Sequence, residues 1–496
     1  MEPDTATRHR CRRQLHVFLF PFMSPGHQIP MLDIATLIAS RGVQTSIVTT
    51  PLNLSRLRSA LHRLAHLPIT VHPLHFPSAA AGLPEHCESL DSLPSTLMSH
   101  SFSRAIMMLH PQGDDLVRQH QPDAIISDQN IPWTAQIARK YGIPRLVFHG
   151  TSCFSLCVSD SVSKYKPHEN VNSDYKPFLV PGLPEPVHVT KSWMPSRFFR
   201  HVGLQEFFAQ FVEAERNTYG TIANTFYEIE PKYVEHYGKI SGKKIWPIGP
   251  VGSVEPDSLG MAERGNRASV NVDRCLSWLD SKEPNSVIYV CFGSLCTFAE
   301  SQLVEIGLGL EASNCSFLWV IREGYGNGIA IGDLGERVKA RGLVIMGWAP
   351  QALILNHPAV GGFMTHCGWN SVLEAVRSGV PMITWPLFAE QFYNAAFVLT
   401  RLRIGFGIGG DTGLEWGREQ EAGVRVKRSR VAAAATRLMG GSESVREIRQ
   451  RVRSLSELAG AAVSEGGSSH VNVDRLIDDL LMIKERLAAG QPVNEL

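Results

Sequence analysis

The chain has 496 residues, of which 44% are hydrophobic, enough for two domains of ordinary size with sizeable cores. A formal net charge of +1 gives no reason to expect nucleic acid or an anionic membrane as a partner. Nine cysteines, an odd number with no CxxC pair, favour scattered reduced thiols in a cytoplasmic protein over a disulfide framework.

The amino terminus combines a basic stretch with a short apolar run. Arginines between residues 8 and 13 precede the apolar residues 15–22, an order that imitates a signal peptide. His16 and Pro21 interrupt the run, and no small-residue cleavage site follows. We therefore predict a disordered tail over residues 1–13 and a buried strand after it. No apolar run approaches the roughly 18 residues of a membrane span, so we expect no integral membrane segment.

A strand–helix–strand pattern opens the first domain. Strands are predicted at residues 15–22 and 43–49, separated by a loop at 22–27 and a helix whose first turn contains Pro30. Open parallel sheets bind ligands at the carboxyl edge of their strands. His27 follows the first strand and is therefore predicted to lie at this edge.

The same pattern recurs further along the chain. A short apolar strand at residues 123–127 ends beside Asp128, a helix covers residues 133–141, and a strand follows at 145–148. Because the carboxyl ends of parallel strands share one sheet edge, Asp128 should reach the edge that carries His27.

Two features of the first half indicate where a small ligand would bind. Thr151 and Ser152 lie just past the strand at 145–148 and are predicted to face the ligand. A group of aromatic residues follows on one or two predicted helices. Core packing is the more economical interpretation of this group, and the wall of an apolar pocket is the alternative. The group consists of Phe198, Phe199, Phe207, Phe208 and Phe211.

A linker separates two predicted domains. Residues 251–271 carry glycine, proline, serine and mixed charges without periodicity, which predicts a connection between a domain at 14–250 and a second domain at 272–478. The second domain restarts the alternation with an apolar strand at 287–292, and Ser294 lies at the turn that follows.

The most informative stretch of the chain is residues 348–391. Residues 360–365 form an apolar run typical of a buried parallel strand, and residues 366–370 turn the chain. Ser371 is predicted to open a helix, with Glu374 at capping-box spacing. The start of such a helix offers free backbone N–H groups and a positive dipole end, and phosphate is the usual occupant.

The side chains around this helix start favour a diphosphate that is held without a metal. His366, Asn370 and Ser371 provide neutral donors. The sequence has no phosphate-loop lysine here and no acidic cluster for a metal. No paired Cys/His set elsewhere indicates a metal site either. We therefore expect no metal and no cofactor.

The flanking residues are suited to the rest of a sugar nucleotide. Trp348 and Gln351 can stack on a base and hydrogen-bond its edge. Glu374 can accept hydrogen bonds from two ribose hydroxyls, and Glu390 and Gln391 can do the same for a sugar.

This stretch resembles the signature of the plant secondary-product glycosyltransferases, the donor site of the UDP-glycosyltransferase superfamily. The resemblance extends over nearly the whole chain, from FPFM at Phe20 through NTFYEIEP at Asn224 to EGGSS at Glu465. The chain departs from the family pattern at Glu390, where aspartate is commoner. The matching letters are W-A-P-Q from Trp348, His357, Phe363, H-C-G-W-N-S from His366, Glu374, G-V-P from Gly379, Pro386 and Gln391.

The resemblance implies an α/β protein with the GT-B fold, in which two Rossmann-like doubly wound domains face each other across a cleft. The amino-terminal domain would bind the acceptor and the carboxyl-terminal domain the UDP-sugar. A terminal helix, residues 479–496, would cross back onto the first domain. The expected partners are a small-molecule acceptor and a UDP-sugar, and the protein is expected to act as a monomer.

The resemblance also assigns roles to individual residues. Gly26-His27-Gln28-Ile29-Pro30 is similar to the family's catalytic motif, so His27 would be the general base, with Asp128 orienting its ring. Thr151 and Ser152 would contact the acceptor or the sugar. The donor-binding residues would be Ser294, Trp348, Ala349, Gln351, His366, Gly368, Trp369, Asn370, Ser371, Glu374, Glu390 and Gln391.

The function implied is transfer of glucose from UDP-glucose, with inversion, to a hydroxyl of a flavonoid, another phenolic, or a triterpene or steroid alcohol. In resembling enzymes, glutamine at position 391 tends to accompany glucose, and UDP-xylose, UDP-galactose or UDP-rhamnose are the alternative donors. A non-catalytic sensor of UDP-sugars is an alternative of another class. A dinucleotide-dependent oxidoreductase would depend on the GxGxxG spacing at residues 405–410, which lacks the usual strand and acidic partner.

Overall fold

The computed structural model describes residues 15–195, 205–253, 260–261, 264–265, 269, 272–323, 337–409, 418 and 420–491. The tail predicted at residues 1–13 lies outside this part of the chain, as does most of the linker predicted at 251–271. Phe198 and Phe199 and the side chains of Phe207 and Phe208 also lie outside it.

The first half of the chain builds a seven-stranded sheet and a separate two-stranded ribbon. The sheet is parallel throughout, with the strand order β3-β2-β1-β4-β5-β8-β9, and the ribbon pairs β6 with β7. The strands are β1 (His16–Phe20), β2 (Gln44–Thr49), β3 (Ile69–Pro73), β4 (Ala124–Asp128), β5 (Arg145–His149), β6 (Phe178–Val180), β7 (Val187–Val189), β8 (Gly220–Ala223) and β9 (Lys244–Pro247).

Helices connect these strands and cover the sheet. Their apolar positions pack on the fully buried central strands, as expected for a doubly wound sheet. The helices are α1 (Pro25–Ala39), α2 (Pro51–Arg63), α3 (Ser99–Met108), α4 (His110–His120), α5 (Thr134–Tyr141), α6 (Cys153–Tyr165), α7 (Gln205–Arg216) and α8 (Pro231–Ser241).

The second half repeats the design with a six-stranded parallel sheet in the order β12-β11-β10-β13-β14-β15. Its strands are β10 (Val287–Cys291), β11 (Ser316–Ile321), β12 (Gly342–Met346), β13 (Val360–Thr365), β14 (Met382–Thr384) and β15 (Gly405–Gly407). Its helices are α9 (Val272–Asp280), α10 (Glu300–Ala312), α11 (Gln351–Leu355), α12 (Trp369–Arg377), α13 (Gln391–Phe397), α14 (Arg428–Met439), α15 (Glu443–Val463) and α16 (Ser468–Ala488).

Each sheet has a point where the strand order reverses, and both points matter for the site. In the first sheet β1 pairs with β4, so Phe20 lies beside Ser127 and the loops that follow them meet. In the second sheet β10 pairs with β13, and Cys291 lies beside Thr365. Ligands of open α/β sheets bind at such switch points, at the carboxyl ends of the strands.

The last helix joins the two halves. Apolar residues of α16, including Val473, Ile477 and Leu480, belong to the core on one face of the first sheet. Lys484 also forms an ion pair with Asp123 at 2.9 Å. The helix begins at Ser468, so the predicted boundary between residues 478 and 479 falls inside one continuous helix.

Two helix starts differ from the sequence predictions. Helix α1 begins at Pro25, so Pro30 lies in its interior and His27 is in its first turn rather than in a loop. Helix α12 begins at Trp369 with Gly368 as the N-cap, and no side chain caps it. The capping box predicted for Ser371 and Glu374 is therefore wrong, and both side chains are free for other contacts.

Among the described residues, no helix is both long enough and apolar enough to cross a bilayer.

Candidate active site

His27 and Asp128 meet at the switch point of the first sheet. Nδ1 of His27 lies 2.7 Å from Oδ2 of Asp128, which is fully buried. The other carboxylate oxygen, Oδ1, accepts hydrogen bonds from the backbone and side-chain nitrogens of Asn130 at 2.9 and 3.0 Å. The carboxylate is therefore held in one orientation, and its bond to Nδ1 leaves Nε2 of His27 as the ring atom available to a ligand.

The pKa of His27 results from opposing effects. Burial by itself lowers the pKa of the imidazole, but the charge and hydrogen bond of Asp128 raise it, with a further contribution from Glu390. The net effect raises the pKa of His27 above its ordinary value of 6.5. A ring in this environment is a stronger proton acceptor than a free imidazole.

A cleft of about 740 Å³ lies between the two sheet edges. His27 lines it from the first domain, and all twelve predicted donor-binding residues line it from the second domain. His27 and Ser294 thus line one cavity, although they are more than two hundred residues apart in sequence. Within the described residues, no three His, Cys, Asp or Glu side chains are grouped closely enough to hold a metal ion.

The start of helix α12 is suited to bind an anion. Its first backbone N–H groups have no partner within the helix, and its dipole is positive at this end. His366 lies next to it, and burial lowers the pKa of this imidazole to about 4, so the ring is neutral at physiological pH. A Cβ added at Gly293 would lie 2.7 Å from the His366 ring. Only glycine lets the ring approach this loop so closely.

Glu374 lies one turn into α12 and is held by two partners. Nε2 of Gln351 donates to Oε2 of Glu374 at 2.8 Å and to Oγ of Ser371 at 2.9 Å. Oε1 of Glu374 lies 3.5 Å from the guanidinium of Arg264, which also pairs with Asp33 of α1 at 2.7 Å. The Gln351 amide therefore orients the carboxylate as well as lining the cleft.

Trp348 lines the cleft from the second domain. Ser269 pairs with its backbone in both directions, at 2.8 and 2.9 Å. A Cβ added at Gly265 would lie 2.5 Å from the indole ring, so the Gly265 backbone lies directly against the ring. Ala349 follows Trp348 and lines the same part of the cleft.

Glu390 and Gln391 approach the cleft from the turn before α13. Oε1 of Gln391 accepts hydrogen bonds from the backbone N–H groups of Leu387 and Phe388 at 2.9 and 3.2 Å. With its oxygen engaged in this way, Gln391 offers a ligand its NH₂ group. This differs from the prediction that it accepts hydrogen bonds from a sugar. Glu390 keeps its carboxylate toward the cleft, close enough to influence His27.

The two residues predicted to face a ligand after β5 differ from each other. Ser152 is fully buried as the N-cap of α6, and its hydroxyl bonds Ser155 and, at 3.1 Å, Oδ1 of Asn394. Its hydroxyl is used in joining the domains, and the contact of Ser152 with a ligand stays a prediction. Thr151 is less deeply buried, and its Oγ1 has no hydrogen-bond partner among the described residues. That oxygen is itself buried, and Thr151 is not among the residues that line the cleft, so its contact with a ligand stays a prediction.

Two predicted donor residues make contacts across the domain boundary. The indole N–H of Trp369 donates to the backbone oxygen of Asn224 at 2.6 Å, and the ring is buried. The amide of Asn370 donates to the backbone oxygen of Gly26 at 2.7 Å. The Trp369 side chain thus faces the first domain, and its contribution to the anion site is its backbone N–H.

Four residues that contribute to the site had not been singled out in the sequence: Asn130, Asn224, Arg264 and Asn394. Each acts through a side-chain hydrogen bond or ion pair to another site residue. Asn224 lies within the family resemblance at NTFYEIEP, which marks the segment without indicating its role.

Comparison with known proteins agrees with this architecture. Residues 13–253 match the family model described as "Glycosyltransferase, N-terminal domain", and residues 271–405 match "UDP-glucoronosyl and UDP-glucosyl transferase". Scopoletin glucosyltransferase of Nicotiana tabacum is 44% identical over an alignment that covers 94% of this chain and 98% of the length of that protein. UDP-glycosyltransferase 73C3 of Arabidopsis thaliana is 45% identical over 97% of this chain and 99% of its own.

The chain belongs to the plant UDP-glycosyltransferases.

A solved structure of this family extends the agreement to the fold. Glycyrrhiza uralensis UGT73P12, solved with glycyrrhetinic acid 3-O-monoglucuronide, is 37% identical, with a TM-score of 0.89 over 96% of this chain and 97% of that chain. The predicted GT-B architecture is thereby confirmed, with two parallel α/β domains. As a UDP-glycosyltransferase the protein is an enzyme, and its partners are a UDP-sugar and a small acceptor. The alternatives of a non-catalytic sensor and a dinucleotide-dependent oxidoreductase are set aside.

Proposed function

We propose that this enzyme transfers glucose from UDP-glucose, with inversion, to a hydroxyl of a small lipophilic plant metabolite. The observation that carries the proposal is the position of the His27–Asp128 pair across one cleft from the start of α12. A base for the acceptor and an anion site for the leaving group are the two requirements of direct displacement at an anomeric carbon.

The reaction follows from these positions. Nε2 of His27 accepts the proton of the acceptor hydroxyl as its oxygen attacks the anomeric carbon, and the bond from that carbon to the diphosphate breaks. Asp128 stabilises the imidazolium that forms. The charge that develops on the UDP oxygen is met by the backbone N–H groups at the start of α12 and by the neutral His366. One donor placed in this way commonly contributes about 2.7–4 kcal/mol. Attack from the face opposite UDP inverts the configuration.

Gln391 and Glu390 support an uncharged donor sugar, and glucose is chosen among such sugars because glutamine at this position tends to accompany glucose in resembling enzymes. The free NH₂ group of Gln391 can donate to a hexose hydroxyl, and the Glu390 carboxylate can accept from one. A negative charge beside the sugar position disfavours a donor that carries its own carboxylate. UDP-xylose, UDP-galactose and UDP-rhamnose are the alternative donors, because they are also uncharged at the sugar.

The acceptor class is proposed from the cleft and from the relatives. The volume of the cleft, about 740 Å³, lies within the range of small-molecule sites. One relative is named as a scopoletin glucosyltransferase, and the Glycyrrhiza relative was solved with glycyrrhetinic acid 3-O-monoglucuronide. We propose a flavonoid or other phenolic, or a triterpene or steroid alcohol.

The remaining expectations are part of the same proposal. We propose transfer without a metal or cofactor, by a monomer in the cytoplasm. The free state of the eight described cysteines suits a reducing compartment.

The test is release of UDP by the purified full chain. UDP-glucose, UDP-xylose, UDP-galactose, UDP-rhamnose and UDP-glucuronate would each be supplied with a mixed panel of phenolics and triterpene alcohols, with and without EDTA. The proposal expects the highest kcat/KM with UDP-glucose, a β-linked product from this α-linked donor, and no effect of EDTA. Preference for another donor would overturn the glucose assignment, and an α-linked product would overturn the single displacement.

A further inference from the structure

Helix α1 contains a carbonyl that lacks its usual hydrogen bond within the helix, because the residue that would donate to it is a proline. Pro30 is the sixth residue of the helix and has no backbone N–H, so the hydrogen bond that position 30 would donate to the Gly26 oxygen cannot form. Gly26 immediately precedes His27, and its backbone is exposed to the cleft. The sequence thus leaves a strong acceptor one residue from the proposed base.

Asn370 of the second domain binds this acceptor. Its Nδ2 donates to the Gly26 oxygen at 2.7 Å, and this bond fixes which way the amide points. The Asn370 oxygen must then face the other way, where Nδ2 of Asn224 donates to it at 3.1 Å. A reversed Asn370 amide would place its oxygen against the Gly26 oxygen, with no hydrogen between them.

Asn224 is in turn held by its own domain. It follows strand β8 directly, is 3% exposed, and accepts the backbone N–H of Val251 through Oδ1 at 3.1 Å. A Cβ added at Gly249 would lie 2.5 Å from that oxygen, so the chain at Gly249 lies against the Asn224 side chain. The backbone oxygen of Asn224 accepts the Trp369 indole independently of its side chain.

We propose that Asn224 is a positioning residue for glycosyl transfer and acts through Asn370. The chain of hydrogen bonds from Val251 through Asn224 and Asn370 to Gly26 sets the start of α12 relative to the first turn of α1. It thereby aligns the leaving diphosphate with His27. Nδ2 of Asn370 carries a second hydrogen, which remains available to bond the UDP-sugar. The inference rests on the proposed roles of His27 and α12, and neither the family signature nor the sequence pattern assigns it.

The first test compares Asn224→Ala, Asn224→Asp, Asn370→Ala and the double variant Asn224→Ala/Asn370→Ala. Asn224→Ala should lower kcat about tenfold with UDP-glucose, while the Kd for UDP changes less than threefold. Asn224→Asp should lose at least as much, since a carboxylate keeps the Val251 bond but meets the Asn370 oxygen without a donor. In the Asn370→Ala background, Asn224→Ala should cost almost nothing further. The matched control is Asn217→Ala, which removes an exposed side-chain amide that donates to Glu213.

The second test uses Pro30→Ala, which restores a backbone N–H opposite the Gly26 oxygen. That N–H competes with Asn370 for the carbonyl, so kcat should fall at least threefold. The Tm should stay the same or rise, because proline in a helix interior is destabilising. Lower activity without lower stability is a result that a purely structural role does not give.

Different results of these tests would count against the role of Asn224 and against the proposed function. Additive losses for Asn224→Ala and Asn370→Ala, or loss of activity only in step with Tm, would show that Asn224 merely supports packing. Full activity of Asn224→Ala and Pro30→Ala would overturn the inference while transfer by the unmodified chain stands. If the unmodified chain does not transfer glucose and its His27→Ala variant is no worse, the proposed function itself fails.

Discussion

Nδ1 of His27, in the first turn of α1, lies 2.7 Å from Oδ2 of Asp128, the last residue of β4. Strand β4 pairs with β1, the strand before α1, so the fold brings together two residues that are 101 positions apart in sequence. The carboxylate raises the pKa of His27 although burial opposes it. Because the ring accepts a proton only when neutral, activity should rise with pH through this raised pKa. The acidic limb of kcat/KM should therefore lie above pH 6.5.

Asp128→Asn separates the charge of the partner from its shape. The amide keeps the size of the carboxylate but removes the charge that opposes the effect of burial, so the pKa of His27 should fall. The acidic limb should then move to lower pH, and the plateau rate should drop at least a hundredfold because the imidazolium loses its counter-ion. A pH–rate profile of both proteins measures this. An unmoved limb would mean that another group titrates.

Glu374→Gln should weaken binding of the UDP-sugar more than it slows the transfer step. The charged carboxylate is held toward the cleft by Gln351, and hydrogen bonds to a charged acceptor are worth about 1.5–3 kcal/mol. We expect the Kd for UDP, measured by calorimetry, to rise at least about tenfold, with kcat at saturating donor nearly unchanged. Glu305→Gln, which breaks an ion pair with Arg428 outside the cleft, is the control. A large fall in kcat with unchanged affinity would assign Glu374 a different role.

Gln391→Glu tests the side-chain nitrogen alone. The carboxylate can still accept the backbone N–H groups of Leu387 and Phe388, so the turn before α13 and the Tm should be preserved. Loss of the NH₂ group and the new charge beside Glu390 should raise KM for UDP-glucose about tenfold, while the Kd for UDP, which has no sugar, stays the same. Equal KM values in the two proteins would remove Gln391 from sugar recognition.

A histidine far from the cleft predicts acid sensitivity of the fold. Burial lowers the pKa of His16 to about 4, against an opposing contribution from Asp123. The unfolded chain therefore binds this proton near pH 6.5 and the native protein only near pH 4, so stability present above 6.5 is lost as the pH falls through that window. Allowing for partial solvent exposure, we expect a loss on the order of 1 kcal/mol.

Denaturant unfolding at pH 7 and pH 5 measures this effect. His16→Gln keeps a polar group for Ser46 but cannot titrate, so it should lose less stability than the unmodified chain on acidification. Identical losses would assign the sensitivity to other groups.

The strands and their edges were predictable from the sequence. The predicted strand at residues 360–365 matches β13 residue for residue. Asp128 and His366 lie at the strand ends where the pattern indicated, and His27 follows β1 at the same sheet edge as Asp128. Buried parallel strands are short apolar runs, and their carboxyl ends share one edge, so local patterns suffice to place such residues.

The first residues of helices were harder to predict from the sequence. Pro25 and Pro30 both suit a first turn, and periodicity alone favoured Pro30 although the helix begins at Pro25. Ser371 and Glu374 have the spacing of a capping box, but the tight turn at Gly368 starts the helix two residues before Ser371. In both places the loop geometry, set by the neighbouring strand, decided between equally good local signals.

The contacts between the domains could not be predicted. Asn224, Arg264 and Asn394 act on residues far away in sequence, and no spacing or composition marks such a pair. The bond between the Ser152 hydroxyl and Asn394, 242 positions away in sequence, could not be predicted either.

In the proposed mechanism one domain removes a proton from the acceptor while the other receives UDP. His27→Ala, with the exposed His188→Ala as control, tests it by two measurements on the same preparation: turnover with UDP-glucose and calorimetric affinity for UDP. Turnover should fall about 10²–10⁴-fold, and the Kd for UDP should change less than threefold. Retained turnover, or equal loss of turnover and UDP binding, would contradict it.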